Sequence, residues 1–133
     1  MATLTPTLTL ASSDMNGDVL NLSVTDSLSI LGQVTTKQVV TSTTAAIFAA
    51  VAGYTKSWVY LKNLSATATE IIHIRMALAG DLGSGTATAV ADTMDLGAGE
   101  FAYFPWSGDG DRAYDAAVGT PILEVRIYQE AAA

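Results

Sequence analysis

Near its C-terminal end the sequence reads Leu123-Glu124-Val125-Arg126-Ile127-Tyr128, aliphatic and polar side chains taking strict turns. A period of two is what an extended strand demands when one of its faces enters a core, because successive side chains point to opposite sides. The same period recurs along the chain. Thr3, Thr5, Thr7 and Thr9 alternate with Leu4, Leu8 and Leu10, and Leu20, Leu22 and Val24 alternate with Asn21, Ser23 and Thr25. Leu28 and Ile30 resume the pattern, and Ile72, Ile74 and Met76 face away from Ile71, His73 and Arg75. Trp58-Val59-Tyr60-Leu61 and residues 100–106 are rich in the aromatic and β-branched residues that strands favour. Turn signals separate these stretches: Asn16-Gly17, Lys62-Asn63, Asp81-Leu82-Gly83-Ser84-Gly85, Gly97-Ala98-Gly99, and the Gly/Asp loop over 107–111. Short strands at this spacing specify an all-β fold, a β-sandwich or jelly roll of about seven to nine antiparallel strands.

One stretch breaks the rhythm. Val39-Val40-Thr41 reads as strand, but Thr44-Ala45-Ala46-Ile47-Phe48-Ala49-Ala50-Val51 has no alternation and predicts a short helix near residues 44–51. Thr43 or Thr44 would cap it and Gly53 would stop it. Pro6 removes a ladder donor from the first alternating segment, which assigns that segment to a sheet edge or to an extended arm over residues 1–13. The 133 residues are expected to form a single domain, 1–133, with the packed centre after Tyr54, where most aromatics fall.

With no cysteine, neither disulfides nor a thiolate zinc site can support the fold. Only 14% of residues are charged, against a typical quarter, so a monomer has few groups with which to solvate its exterior. Shared surface is the simplest remedy, and a homo-oligomer or docked subunit is expected. The net charge of −7 and six scattered Lys and Arg residues leave no positive patch for phosphates, which argues against direct nucleic-acid binding. The longest apolar run, residues 44–52, is far short of the roughly 20 residues that span a bilayer, so no membrane segment is expected. Met1-Ala2-Thr3-Leu4-Thr5 carries no basic region of a secretory signal, and synthesis in a cytoplasm is the expectation.

Little in the chain carries chemistry. His73 is the single histidine and alternates with isoleucines, the position of a half-exposed strand residue rather than of a catalytic base. Asp14-Met15-Asn16-Gly17-Asp18 imitates the start of a calcium loop, but Val19 stands where the loop's glycine belongs and Thr25 where its bidentate glutamate belongs. Asp109, Asp111 and Asp115 crowd three carboxylates into seven residues, and the same Asp-Gly chemistry also makes tight turns without an ion. No catalytic residue, metal site or cofactor is therefore assigned, and the chain is expected not to be an enzyme. The aromatics Tyr54, Trp58, Tyr60, Tyr103, Trp106 and Tyr114 are either core or a contact surface. Trp106, between Pro105 and the Gly/Asp loop, is the best candidate for an exposed anchor. With Leu4, Pro6, Leu8 and Leu10 of the first segment it forms the expected interface set.

Two stretches carry a likeness to a known group. The opening, Ala2-Thr3-Leu4-Thr5-Pro6-Thr7-Leu8-Thr9-Leu10 and then Leu20 through Leu28, is one. The other is Trp58-Val59-Tyr60-Leu61-Lys62-Asn63, then Gly99-Glu100-Phe101, then Thr120-Pro121-Ile122-Leu123-Glu124. In this order they resemble small structural proteins encoded in the virion gene clusters of tailed bacteriophages. The resemblance implies a capsid decoration (cement) protein on the virion surface, often a trimer, with the major capsid protein as partner. A fibre or tail module that binds a receptor or carbohydrate is the alternative.

Overall fold

The computed structural model describes residues 2–15, 18–42, 45–48, 57–78, 91–106 and 110–130. Eleven strands run through them: β1 (Ala2–Leu4), β2 (Thr7–Met15), β3 (Asp18–Thr25), β4 (Leu28–Val39), β5 (Ala45–Phe48), β6 (Ser57–Asn63), β7 (Ile72–Leu78), β8 (Ala91–Leu96), β9 (Phe101–Trp106), β10 (Gly110–Ala116) and β11 (Ile122–Glu130). Every pairing between them is antiparallel. The fold is all-β, as the alternation requires.

The last eight strands pair as one long ribbon folded on itself: β7 with β8, β6 with β9, β5 with β10 and β4 with β11. Rolling that ribbon brings β11 beside β6 and β10 beside β7. The result is two sheets, ordered β1-β4-β11-β6-β9 and β5-β10-β7-β8. This is the jelly-roll winding, in which nearly every connection crosses from one sheet to the other. β1 extends the first sheet at its edge, where Pro6 and the short β1 suit the loss of a ladder partner.

The two sheets enclose a core drawn from both. Val59, Leu61, Trp106, Leu123 and Val125 come from the first sheet, and Ile47, Ile72, Ile74, Leu96, Tyr114 and Ala116 from the second. Val40, just past β4, completes it, and all of these but Val40 and Ile47 lie after Tyr54. In β6 the alternation is strict: Ser57, Val59, Leu61 and Asn63 are buried, while Trp58, Tyr60 and Lys62 face outward.

Two expectations are corrected. Ala45–Phe48 is a strand, not a helix; it pairs with β10, Phe48 opposite Arg112 and Ala45 opposite Tyr114. A short apolar run cannot be told from a helix by periodicity alone, and here the sheet partner decides. The rest of the expected helix, residues 44 and 49–51, lies outside the described residues, as does the loop at 81–85. Trp106, expected as an exposed anchor, is 3% exposed and belongs to the core. The phase of β9 explains it, because Ala102, Phe104 and Trp106 share the inward face and leave Phe101, Tyr103 and Pro105 outside.

At the end of the sandwich away from β1, a buried asparagine ties the β6–β7 connection to the end of β8. Asn63 donates its amide to the carbonyls of Glu70 and Leu96, at 2.8 and 3.1 Å, and its side-chain oxygen accepts the Ser65 N–H at 3.0 Å. Both of its N–H donors and its carbonyl oxygen are thus engaged, as burial requires. Glu70 is held in turn by the Ser65 hydroxyl and the Thr120 N–H. Gly119 sits beside it at φ +72°, where a Cβ would be strained and would also collide with the Glu70 carboxylate.

Candidate interaction surface

β2 and β3 form a two-stranded ribbon of their own, from Thr7 opposite Thr25 to Met15 opposite Asp18. It grows directly out of the sandwich. Leu4 pairs with Leu28 on β4, the Asp26 N–H donates to the Pro6 carbonyl at 3.1 Å, and the β2–β3 ladder begins one rung later. Residues 2–13, considered from sequence as an arm, thus contribute one strand to the molecule's own sheet and one strand to this ribbon. Antiparallel partners share a face. Leu8 therefore lies with Val24 and Leu10 with Leu22 on one side, while Thr7, Thr9, Asn21, Ser23 and Thr25 lie on the other. The apolar side is uncovered, with Leu8 51%, Leu10 44%, Leu22 41% and Val24 53% exposed. A lone two-stranded hairpin is at best marginal in water, and one with an open apolar face lacks the packing that usually holds it.

The ribbon's base meets the outer face of the five-stranded sheet. Pro6, Leu8, Val24 and Asp26 line an apolar groove of about 220 Å³ together with Trp58 and Tyr103. Beyond the groove the face is aromatic. Trp58 and Tyr103 stack across β6 and β9 with centroids 5.2 Å apart and planes 11° from parallel, and Tyr60 stacks on Phe101 at 6.1 Å. Phe101 is 63% exposed. One apolar band therefore runs from Leu10 and Leu22 along the ribbon, through the groove, and on to Phe101. Burial, the nearby Tyr128 and the Asp26 carboxylate together hold the Tyr103 hydroxyl above the usual tyrosine range.

Charges flank the band. Register places Lys37, Glu124, Lys62 and Phe101 in one row and Thr35, Arg126, Tyr60 and Tyr103 in the next. Arg126 donates through Nε to Glu124 at 2.6 Å, and bonding to Glu124 and to Tyr128 keeps its guanidinium more firmly protonated than usual. Tyr60, Lys62, Glu124, Arg126 and Tyr128 surround a hollow of about 380 Å³. Three of the chain's six Lys and Arg residues, Lys37, Lys62 and Arg126, therefore gather on one sheet face. At the far end of that face Val39 pairs with Ile122, and both are exposed, as is Leu64.

The second sheet's outer face differs. His73 lies opposite both Asp95 and Asp115, and its Nδ1 is 2.7 Å from Asp95 Oδ1. Arg75 Nε is 2.9 Å from Asp115 Oδ2. These are cross-strand side-chain pairs, a hydrogen bond in the first case and an ion pair in the second, of the kind that hold sheets together. Asp115 of the acidic cluster is thus engaged by Arg75, whereas Asp109 and the Asn16-Gly17 turn lie outside the described residues. Among the described residues no three acidic or imidazole side chains converge as a metal site.

Of the expected interface residues, the structure brings Pro6, Leu8 and Leu10 onto the band, seats Leu4 half-buried in β1, and withdraws Trp106 into the core. The sequence reading missed Leu22 and Val24 as the partners of Leu10 and Leu8, and missed Phe101 and Tyr103 as its outward aromatics. The Asn-Gly turn between two alternating segments was the available signal for the first, and the phase of β9 for the second.

No protein-family model and no curated protein matches the sequence. One solved structure is similar, a chain from Bacillus endospore appendages, which form a novel family of disulfide-linked pili. The likeness covers 79% of this chain and 91% of that one, at 15% identity and a TM-score of 0.52. At that identity the likeness is one of fold. This chain contains no cysteine, so a disulfide cannot link its copies.

Proposed function

We propose that this protein is a non-enzymatic structural subunit, seated in a larger assembly by the apolar band of its ribbon and five-stranded sheet. The observation that carries the reading is the continuity of that band, from Leu10 and Leu22 through the groove to the exposed Phe101. Monomers rarely leave contiguous apolar surface beyond a few hundred Å² uncovered. The low charge content supports the same reading, since it leaves little else to keep a free monomer apart from its neighbours. The assembly in which such a subunit belongs is, on the resemblance in its sequence, a bacteriophage virion. There it would decorate the capsid as a homotrimer bound across neighbouring copies of the major capsid protein.

The test is co-sedimentation of the purified protein with capsids that lack it. Full occupancy by the wild type, and occupancy reduced at least tenfold in Leu10→Asp/Leu22→Asp, is the expected result. A wild type that leaves all such capsids bare removes the decoration role. A second reading has one observation in its favour, the hollow where Tyr60 and Tyr128 stand among Lys62, Glu124 and Arg126. Aromatic faces beside charged tips suit a carbohydrate, and binding of glycans by the wild type but not by Tyr60→Ala would favour that module.

A further inference from the structure

The ribbon and the sheet face have complementary surfaces that one molecule does not bring together along their length. The ribbon is apolar on one side and carries only negative charge, with Asp18 opposite Met15 in the rung nearest its tip, Asp14 next to Met15 in sequence, and no Lys or Arg between Thr7 and Thr25. The outer face of the five-stranded sheet offers exposed Val39, Ile122, Leu64 and Phe101, with Lys37 and Lys62 among them on either side of Glu124, which is bonded to Arg126. Strand direction separates the two. β4 starts beside the ribbon at Leu28 and ends at Val39, and β11 runs back from Ile122 to Glu130, so Val39 and Ile122 stand at the opposite end of the sandwich from the ribbon's root. Twelve residues of β4 put roughly 36 Å between these ends.

We propose that the ribbon of one copy lies on the distal outer face of a second copy's five-stranded sheet, its leucines against the apolar residues and its acidic end toward Lys37 and Lys62. The inference rests on the reading of the chain as an assembling subunit and names the occupant of its band. The contact is heterologous, ribbon to face, so a pair is left with an unused face on one copy and an unused ribbon on the other. It therefore propagates, closing into a ring if the rotation between copies allows and running on as a filament if it does not.

The experiment separates the two surfaces. Leu10→Asp/Leu22→Asp disables the ribbon and Phe101→Asp/Ile122→Asp disables the face; all four residues are exposed, so the sandwich should keep its circular dichroism and melting behaviour. By sedimentation velocity the wild type should form a ring or longer species. Each variant alone should be monomeric, and a mixture of the two should give a 1:1 dimer and nothing larger, since one intact ribbon then meets one intact face. Charge exchange gives an independent readout: Lys37→Glu/Lys62→Glu and Asp14→Lys/Asp18→Lys should each weaken association at least tenfold, and the two sets combined in one chain should restore it. A wild type that is monomeric at its highest soluble concentration overturns the inference. So does a ribbon-disabled variant that keeps the wild-type mass, a mixture that stays monomeric, or a charge exchange without rescue. A monomeric wild type that still decorates capsids would overturn this contact and leave the structural reading standing; ring or filament assembly with no affinity for capsids would support the contact and remove the decoration role.

Discussion

Ribbon and sandwich are written in the same alternating code, and they use it to opposite ends. In β6 and β11 the apolar phase faces a second sheet, and Leu61 and Leu123 are wholly buried. In β2 and β3 the apolar phase faces solvent, and no second layer among the described residues covers Leu10 or Leu22. Period two thus specifies that a strand has a hydrophobic side. What covers that side is decided by the rest of the chain or by another molecule. Where the chain supplies the cover the alternation is a statement about stability, and where it does not the alternation is a statement about a partner.

The contrast can be broken most forcefully in the core. Leu61→Ala removes a wholly buried side chain between the sheets and is expected to cost about 2–5 kcal/mol, whereas Leu22→Ala in the ribbon should stay within about 0.5 kcal/mol. Urea unfolding of the two variants beside the wild type measures both. Equal losses would mean that the ribbon is packed in solution.

Asn63→Ala comes next. It strips partners from the Glu70 and Leu96 carbonyls and the Ser65 N–H at the buried end of β6, and should cost about 1–3 kcal/mol. The change should also speed amide exchange at Ser65 ahead of the sandwich strands, which hydrogen-exchange mass spectrometry would resolve. Uniform loss of protection over both sheets would instead make the asparagine a plain packing residue.

A smaller effect is expected on the second sheet. Asp95→Asn removes the exposed partner of His73, and surface pairs of this kind contribute roughly 0–1 kcal/mol, so the melting temperature should move by a few degrees at most. A loss above ~2 kcal/mol would assign that pair a larger part in the fold than its exposure allows.

How far the sequence speaks follows from these same residues. Alternation in β7 and β11, aromatic content in β6 and β9, and the Gly97-Ala98-Gly99 turn are local signals, and they appear in the structure where they were read; the Glu100 N–H closes that turn on the Gly97 carbonyl at 3.0 Å, with Gly99 at φ +77°. β5 was not legible because its identity is conferred by β10, more than sixty residues later in the chain. Trp106 was misplaced for a different reason. Its flanking Pro and Gly/Asp residues signal exposure, but strand phase overrides flanking composition, and the phase of Ala102 and Phe104 was already in the sequence. The candidate surface was half legible. Leu8 and Leu10 announce an apolar side, while their meeting with Trp58 and Tyr103 depends on a bend at Pro6 and Asp26 that no local pattern encodes.

The ribbon's base meets the sandwich beside Pro6 and Asp26, and Tyr103 reports on that meeting. Its hydroxyl titrates above the ordinary tyrosine value of 10.0, first because burial penalises the charged phenolate, then because Tyr128 and Asp26 repel it. A group whose folded value is raised contributes stability that is fully present below its unfolded value and is lost as pH rises through the folded one. The ribbon's seating on the sheet should therefore be intact at neutral pH and loosen above pH 10. Absorbance titration of the tyrosinates, with Tyr103→Phe subtracted, isolates this one residue. Asp26→Asn should lower its midpoint slightly by removing the lesser repulsion. Replacing Leu8 and Val24 with serine should lower it further by letting water into the groove, because desolvation is the leading cause. If neither change moves the midpoint, the base of the ribbon does not rest on Tyr103 in solution, and the apolar band is two separate patches rather than one.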